Sequence, residues 1–462
     1  MKEKNRPVLE IGSHLELKIE KMAHEGQGIG EVGEFTVFVE GAITGEKCIA
    51  KINKVKKDYA IAEAIQILEP SKERCSPPCK YISQCGGCDL QHLTYEGQLR
   101  FKTLKVSDSL RRIGHINAEV LDTIGMEQPW YYRNKSQYPM GLQNGKPIIG
   151  FYKKRSHDIV DLDNCMIQHP IANSIMLAAK EWIKKYNISV YDETKHEGLL
   201  RHVGTRVGFN SKEVMVILTV NGRKIPFTDK LIEMLKGRIP GFKSLILSVN
   251  TQKTNIIMGK ENILLYGEPN IFEYLCDTKF QISPVSFFQV NSIQAEVLYS
   301  KVMEYANIGK DETVIDVYCG TGTITLLLAK RAKKAYGIEI VSQAVEDAKV
   351  NAAINNIENT EFIKGAAEKI LPEMAKAGIR PDVIVTDPPR SGCEQKALEV
   401  IAEISPKRIV YVSCNPATLA RDLRYLENNG YITQKVQPID MFPQTSHVEC
   451  VVLMTNCGRN EK

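Results

Sequence analysis

The sequence contains no apolar run of about 18 residues, so it has no candidate transmembrane helix. Its first residues, MKEKNRPVLEIG, lack the apolar segment of a secretory signal, and we expect a cytoplasmic protein without a membrane partner. It has no low-complexity tract, and nothing in it implies a protein partner. The net charge of +5 neither requires nor excludes nucleic acid, because basic binding surfaces are local.

Cysteine, in contrast, is plentiful, with 12 residues in a chain of 462. Disulfides are not expected in a reducing compartment, so cysteines that cluster indicate metal ligation or catalysis. The chain is also too long for a single core of ordinary size, which predicts two or three domains.

Three segments differ in pattern. Residues 1–70 read as short alternating strands with glycine turns, which predicts a small β-barrel. Residues 71–283 mix strands and helices and predict an α+β central domain. Residues 284–462 alternate strands with helices, which predicts an α/β domain with a parallel, doubly wound sheet.

Two basic stretches are candidates for nucleic-acid binding. One is a stripe in the predicted barrel, formed by Lys51, Lys54, Lys56 and Lys57. The other is the aromatic and basic stretch at residues 130–140, WYYRNKSQYPM. Lysine and arginine neutralise phosphates, and aromatic rings stack on unpaired bases. A solvated strand face and ordinary strand packing remain open as alternatives.

Cys79, Cys85 and Cys88 lie together in the glycine loop CKYISQCGGC, with Cys75 just upstream and Cys165 far downstream. Four thiolates suit either a structural zinc ion or an iron–sulfur cluster. Zinc sites usually combine two short C-x₂₋₄-C pairs, whereas here a bunched trio would need a lone remote fourth ligand. The asymmetry favours iron–sulfur, and the spacing alone leaves Cys75 as a further candidate.

Ligands of open α/β sheets bind outside the carboxyl ends of the strands. The first predicted strand ends in DVYCGTG, where Gly320 and Gly322 let the backbone approach a ligand closely. Glu339 closes the next strand, where a carboxylate accepts hydrogen bonds from ribose hydroxyls. Thr325 replaces the third glycine of a nicotinamide-binding loop. An adenosyl ligand without a pyrophosphate, such as S-adenosylmethionine, therefore fits better.

Two further strand ends complete this predicted crevice. The motif DPPR at Asp387 resembles that of amino-methylating enzymes, but Arg390 replaces its aromatic residue, which argues against N-methylation. The next strand ends at Cys414, just before a predicted helix whose N-terminus should lower the pKa of the thiol. The last strand begins near Glu449. If it runs antiparallel, as in methyltransferase sheets, Glu449 lies close to Cys414.

A cysteine, a carboxylate and a methyl donor in one crevice indicate C5 methylation of a pyrimidine. Uracil C5 is a poor nucleophile until a thiolate adds at C6 and converts the ring to an enolate. A base must then remove the C5 proton so that the thiolate is expelled. Cys414 suits the first role and Glu449 the second.

These motifs resemble those of the RNA (uracil-5-)-methyltransferases, specifically the bacterial 23S ribosomal RNA branch, over nearly the whole chain. The resemblance implies a class I, Rossmann-like methyltransferase domain, an N-terminal TRAM domain that binds RNA, and a [4Fe-4S] cluster. It implies a uridine flipped out of folded 23S ribosomal RNA as substrate. The stretches SFFQVN, DVYCGTGT, GIEI and VTDPPRSG look like the family's cofactor motifs, and VSCNPATLARD and SHVECVVL like those of the nucleophile and the base.

The resemblance also implies roles for individual residues. The implied cluster ligands are Cys79, Cys85, Cys88 and Cys165, which leaves Cys75 outside the site. The residues implied to contact S-adenosylmethionine are Gln289, Tyr318, Glu339 and Asp387, beside Gly320 of the glycine loop.

Three other functions remain open. A transfer-RNA uridine methyltransferase would share the chemistry, but its close relatives are expected to lack the barrel and the cysteines. A non-catalytic RNA-binding assembly factor with a structural zinc would not need Cys414. A DNA cytosine C5 methyltransferase usually carries its cysteine after proline near the fourth strand, where DPPR has none.

Overall fold

The computed structural model describes residues 9–458. The first six strands form one curved sheet in the order β1-β5-β6-β4-β3-β2. Alternate residues of these strands, among them Val37, Val39 and Ile52, are fully buried in a small core. The strands are β1 (His14–Lys18), β2 (Lys21–Met22), β3 (Gly28–Val32), β4 (Phe35–Glu40), β5 (Lys47–Val55) and β6 (Tyr59–Glu69).

Helix α1 (Tyr95–Ser109) ends in a π-helical turn, Leu110–Gly114, and leads into the central sheet. That sheet has seven strands in the order β13-β12-β11-β10-β7-β8-β9, and a β14-β15 hairpin follows. Its elements are β7 (Lys135–Gln143), β8 (Lys146–Tyr152), β9 (Ile159–Asp161), α2 (Pro170–Tyr186), β10 (Leu200–Val207), β11 (Val214–Val220), α3 (Thr228–Arg238), β12 (Phe242–Val249), β13 (Glu261–Gly267), β14 (Ile271–Leu275) and β15 (Thr278–Ile282).

The third sheet has the order β18-β17-β16-β19-β20-β22-β21, in which β22 is antiparallel to both neighbours and the first five strands are parallel. This confirms the predicted Rossmann-like domain and its antiparallel last strand. Its elements are α4 (Ser292–Ala306), β16 (Thr313–Val317), α5 (Thr323–Ala329), β17 (Lys334–Glu339), α6 (Ser342–Ile354), β18 (Thr360–Lys364), α7 (Ala367–Lys376), β19 (Val383–Thr386), α8 (Gln395–Ile404), β20 (Arg408–Ser413), α9 (Pro416–Glu427), β21 (Tyr431–Ile439) and β22 (Glu449–Asn456).

Part of the predicted central domain packs on the third sheet. Val106 of α1 and Leu110 share a core with Leu423 of α9, and Val120 forms an isolated bridge with Val436 of β21. Helix α1 therefore lies against the same side of the sheet as α9. Within the described residues, no helix is both long and apolar enough to cross a membrane.

Candidate functional site

The carboxyl ends of the parallel strands and the start of β22 enclose one crevice of about 640 Å³. We call it the strand-end crevice. All seven residues predicted to act in catalysis or cofactor binding line it, although they come from six separate parts of the chain. They are Gln289, Tyr318, Gly320, Glu339, Asp387, Cys414 and Glu449.

The register of β20 and β22 explains the approach of Cys414 and Glu449. Ser413, the last residue of β20, pairs with Cys450 in this antiparallel ladder, so Cys414, which follows β20, is placed opposite Glu449. Neighbouring strands lie about 5 Å apart. Glu449 is buried, with 5% of its surface exposed, and Cys450 packs into the core on the opposite face, as alternation predicts.

The prediction that the helix N-terminus lowers the pKa of Cys414 is wrong. Burial and the nearby carboxyls of Glu449 and Asp387 raise the pKa of this thiol to about 11, and Arg390 only partly opposes them. Asn415 does cap α9 as expected, since its side chain accepts a hydrogen bond from the Ala417 backbone N–H at 3.1 Å. The cost of placing a thiolate beside two carboxyls outweighs the helix dipole.

The carboxyl group of Glu449 also has a raised pKa. Burial and the charge of Asp387 raise the pKa of the Glu449 carboxyl well above its ordinary value. Burial also raises the pKa of Asp387 to about 6. The crevice thus concentrates acidic groups that resist ionisation in the free protein and that a cation would stabilise in their charged forms.

The glycine loop and Glu339 are held together by backbone hydrogen bonds. Glu339 accepts from the Gly320 N–H at 3.1 Å with one oxygen and from the Val341 N–H at 2.8 Å with the other. Tyr318 has a φ of 70° and Gly320 a φ of 56°. A left-handed tyrosine is a strained conformation of the kind found at functional sites, and here it turns the chain out of β16 into the crevice.

Asp316, at the end of β16, is a candidate that the sequence argument passed over. Its Oδ2 accepts a hydrogen bond from the Thr325 hydroxyl at 2.6 Å, while its buried Oδ1 has no partner among the described residues. Burial raises the pKa of Asp316 to about 7. An unpartnered carboxylate oxygen in this crevice fits the amino group of an amino-acid-like ligand. Its position just before the glycine loop was the available sequence signal.

The implied cysteine ligands also come together. Cys79, Cys85, Cys88 and Cys165 line a second cavity of about 400 Å³, which we call the cysteine cavity. The Gly87 N–H points at the Cys85 sulfur at 3.4 Å. Such N–H donors are typical around cluster sulfurs.

Cys75 does not line this cavity, and its thiol donates instead to the Gln91 carbonyl at 3.3 Å. Across residues 9–458, no group of three or more His, Cys, Asp or Glu side chains is close enough to hold a single metal ion. All four cysteines line the same cavity of about 400 Å³. Their number, chemistry and arrangement fit a multinuclear cluster, which needs space between its ligands.

Four residues line both the strand-end crevice and the cysteine cavity, and we call them the shared wall. They are Arg133, Arg390, Phe442 and His447. The sequence argument assigned none of them a role in catalysis, cofactor binding or metal ligation, although Arg390 lies in the motif DPPR, Arg133 in the basic stretch 130–140 and His447 in SHVECVVL. The segment after Cys88 is tied to the same wall, since the Asp89 and Leu90 N–H groups both donate to the Gln444 carbonyl at 3.0 Å.

The two basic stretches differ in the structure. Lys51, Lys54, Lys56 and Lys57 are all exposed on the barrel. In the stretch 130–140, Tyr132 and Tyr138 are fully buried. Ordinary packing therefore explains these two rings, whereas Arg133 of the same stretch reaches the strand-end crevice.

Two family models match the chain. The model for tRNA (uracil-5-)-methyltransferase matches residues 247–457, and that for the TRAM domain matches residues 8–65. A protein of Clostridium tetani described as an uncharacterized RNA methyltransferase is 51% identical over 96% of this chain and 97% of its own length. A Listeria innocua protein with the same description is 45% identical over 97% and 99% of the two chains.

The crystal structure of Pyrococcus abyssi tRNA (uracil-54, C5)-methyltransferase in complex with S-adenosyl-L-homocysteine has a TM-score of 0.76 to this structure. It is 30% identical and covers 95% of this chain and 99% of its own. The uncovered 5% of 462 residues is about 23, fewer than the barrel spans, so a tRNA enzyme shares at least part of the barrel. The barrel therefore does not exclude a transfer-RNA substrate. The chain belongs to the RNA (uracil-5-)-methyltransferase family and carries a TRAM domain.

Proposed function

We propose that this protein transfers the methyl group of S-adenosylmethionine to C5 of a uridine in RNA through a covalent adduct on Cys414. The observation that carries the proposal is the register that sets Cys414 opposite Glu449 within the strand-end crevice. This register supports a nucleophilic role for Cys414 and a base role for Glu449, and the glycine loop with Glu339 lies in the same crevice.

In the proposed reaction the Cys414 thiolate adds to uracil C6 and C5 becomes an enolate carbon. C5 attacks the methyl group of the sulfonium, and S-adenosylhomocysteine leaves. C5 then carries both a hydrogen and the new methyl group. Glu449 takes the C5 proton, the C5–C6 double bond re-forms, and the thiolate is expelled.

The raised pKa values of Cys414 and Glu449 have a consequence for this scheme. The Cys414 thiol, with a pKa of about 11, keeps its proton in the free protein at neutral pH, and burial beside Asp387 opposes ionisation of Glu449. A sulfonium bound in the same crevice favours the ionised forms of both groups. We therefore expect adduct formation to depend on the methyl donor and to become faster as the pH rises toward 9.

The methyl donor would be held by residues of several strands. Glu339 would accept hydrogen bonds from the ribose hydroxyls, and Asp316 would accept one from the amino group with its free Oδ1. Gln289, Tyr318, Gly320 and Asp387 complete this proposed set. The S-adenosyl-L-homocysteine bound to the Pyrococcus abyssi enzyme supports this assignment.

We further propose that Cys79, Cys85, Cys88 and Cys165 hold a [4Fe-4S] cluster. When bound, the cluster would cross-link the loop at residues 79–88 to the distant Cys165 and take no redox part in methylation. The Asp89 and Leu90 N–H groups donate to the Gln444 carbonyl, so an ordered cysteine loop would also hold the segment that contains Phe442 and His447 of the shared wall in place.

The proposed substrate is a uridine of 23S ribosomal RNA. The structural likeness to a tRNA (uracil-54, C5)-methyltransferase makes transfer RNA the second candidate. The exposed lysine stripe of the TRAM domain would contribute phosphate contacts in either case.

Adduct trapping tests both the chemistry and the substrate. Fluorine at C5 cannot leave as a proton, so 5-fluorouridine-substituted RNA with S-adenosylmethionine should stall the enzyme as a denaturant-resistant complex. We expect the complex with 23S ribosomal RNA, attached at Cys414 by mass spectrometry, and absent in Cys414→Ala.

The possible results separate the candidates. A complex formed only with transfer RNA would keep the chemistry and replace the substrate. No complex with either RNA, although RNA and S-adenosylmethionine bind, would refute the covalent mechanism and favour an RNA-binding assembly factor.

A further inference from the structure

Two adjoining cavities of about 520 and 120 Å³ lie in the central domain, outside the strand-end crevice and the cysteine cavity. Strands β7 and β8 and the loops at residues 191–194 and 254–257 form their walls. The residues that line both are Met140, Tyr152, His157, Tyr191 and Glu193. We call this paired space the central cavity.

Two nitrogen atoms that line the smaller part have no partner among the described residues. They are the Nε of Arg201 and the Nδ1 of His202. Arg201 is only 4% exposed, and its other nitrogens donate to the carbonyls of Asn250, Gln252 and Thr254. A buried N–H without an acceptor is costly, so the guanidinium is held rigidly with one donor free.

Two tyrosine rings, those of Tyr152 and Tyr191, line the central cavity. Tyr152 is 36% exposed, and its ring centroid lies 5.4 Å from that of His157. Tyr191 is buried with the Arg201 guanidinium 4.3 Å from its ring centre. A flat ligand entering here meets an aromatic face at the rim and a hydrogen-bond donor at the base, which is how proteins bind unpaired bases.

The charges argue against a phosphate. Glu193 lines both parts of the cavity and lies 3.3 Å from the His157 Nδ1. Its carboxylate would repel a phosphate but accept hydrogen bonds from the N–H groups of a base. Arg201 donates to backbone carbonyls through both terminal nitrogens, which leaves its Nε as the nitrogen without a partner.

The cavity is near the shared wall along the chain. Met140 of β7 is seven residues from Arg133 of the shared wall, or about 20 Å at the rise of an extended strand. Beside it, Lys154 and Arg155 of the β8-β9 turn pair with Glu40 of the barrel. Single-stranded RNA held by the barrel and the crevice could span this distance with a few nucleotides.

We propose that the central cavity binds one unpaired base of the RNA substrate, several nucleotides away from the target uridine. Tyr152 stacks on the base, and Arg201, His202 and Glu193 hydrogen-bond its edges. This site rests on the proposed function for the identity of the RNA, but not on methyl transfer itself. It would contribute to choosing one uridine among many.

Equilibrium binding of 23S ribosomal RNA and of transfer RNA tests the proposal across a series of salt concentrations. The variants are Tyr152→Ala and Glu193→Ala, with Tyr274→Ala as control, because Tyr274 is similarly exposed on a different sheet. We expect Tyr152→Ala to weaken binding of the substrate RNA about tenfold, with an unchanged salt slope, since a stacked base releases no counterions. Ultraviolet cross-linking should attach a nucleotide to the peptide that contains Tyr152.

Each other result overturns the base pocket. Equal affinity of the Tyr152 and Tyr274 variants, without a cross-link, means that water alone fills the cavity. A salt slope reduced by Tyr152→Ala or Glu193→Ala means that the site meets the phosphate backbone. Because none of these readouts needs turnover, a cross-link at Tyr152 in a protein that forms no Cys414 adduct would retain the pocket and reject the proposed function.

Discussion

The strand-end crevice and the cysteine cavity meet at the shared wall but are built in different ways. The crevice collects residues from the ends of β16, β17, β19 and β20, where a regular sheet fixes their positions. The cysteine cavity is made by irregular chain around residues 79–91 and 162–168. The first site is positioned by a regular sheet, whereas the second is held by backbone hydrogen bonds between loops, such as that from the Gly86 N–H to the Tyr152 carbonyl, and would gain further order from its ligand.

The comparison predicts which property of each site a substitution would change. A substitution in the crevice should alter chemistry and leave the fold intact, because the sheet does not depend on those side chains. A substitution in the cysteine cavity should first disorder the loops around it. It should then lower the methylation activity, because the shared wall belongs to both sites. The four predictions below test this contrast, beginning with the largest effect.

Glu449→Gln should abolish turnover, by at least about a thousandfold, and yet allow the adduct to accumulate. Glutamine keeps the shape and cannot take the C5 proton, so the methylated uracil stays bound to Cys414. Denaturing gels with ordinary, unfluorinated RNA would reveal the complex. Cys414→Ala is the matched control, for which no complex is expected. A Glu449→Gln enzyme that turns over normally would remove Glu449 from the mechanism.

Cys88→Ser should lose most of its iron and acid-labile sulfide, whereas Cys75→Ser should retain both. Cys88 lines the cysteine cavity, whereas Cys75 does not, and its thiol donates to the Gln91 carbonyl. Metal analysis and visible absorbance of anaerobically purified protein measure the difference. An equal loss of iron in both variants would show that Cys75 is also a ligand. Finding zinc in place of iron would show that the site holds a zinc ion and not an iron–sulfur cluster.

Asp440→Asn should destabilise the protein by about 3–5 kcal/mol, because it leaves a buried cation without its partner. Asp440 accepts hydrogen bonds from Lys102 and from the Tyr95 hydroxyl, and the Lys102–Asp440 pair is completely buried beneath the shared wall. Chemical denaturation measures the change. The control, Asp108→Asn, removes the exposed pairs of α1 with Arg111 and Arg112 and should cost less than about 1 kcal/mol.

Asp316→Asn should weaken S-adenosylmethionine binding about tenfold by removing one charged hydrogen bond. It should also stabilise the free protein by up to about 4 kcal/mol at pH 8 and by only about 1–2 kcal/mol at pH 5. Burial raises the pKa of Asp316 to about 7, so its stability contribution is present at low pH and is lost as the pH rises from the unfolded pKa of about 4 to 7.

Calorimetry and Tm at the two pH values measure both effects of Asp316→Asn. The exposed Asp311→Asn should change neither. A stabilisation that is equal at pH 5 and pH 8 would contradict the titration of Asp316 as its cause.

Much of the fold could be predicted because its signals are local. Alternating strands and helices predicted the doubly wound sheet. An antiparallel last strand was predicted to place Glu449 at the same edge of the sheet as Cys414, and the register of β20 and β22 agrees with this. The pKa of Cys414 could not be predicted this way, because it depends first on burial and then on Glu449 and Asp387, which lie 35 and 27 residues away along the chain. The helix cap is a local signal, and it was the weaker influence.

The sequence by itself determined the residue types of the chemistry, the strand ends that carry them and the family. The tertiary structure alone decided which side chains complete the sites. Asp316 is left with a free oxygen, Arg133 and His447 join two cavities, and Arg201 is buried with one unpaired donor. These features arise from packing between segments distant in sequence, and burial and charge act through space rather than along the chain.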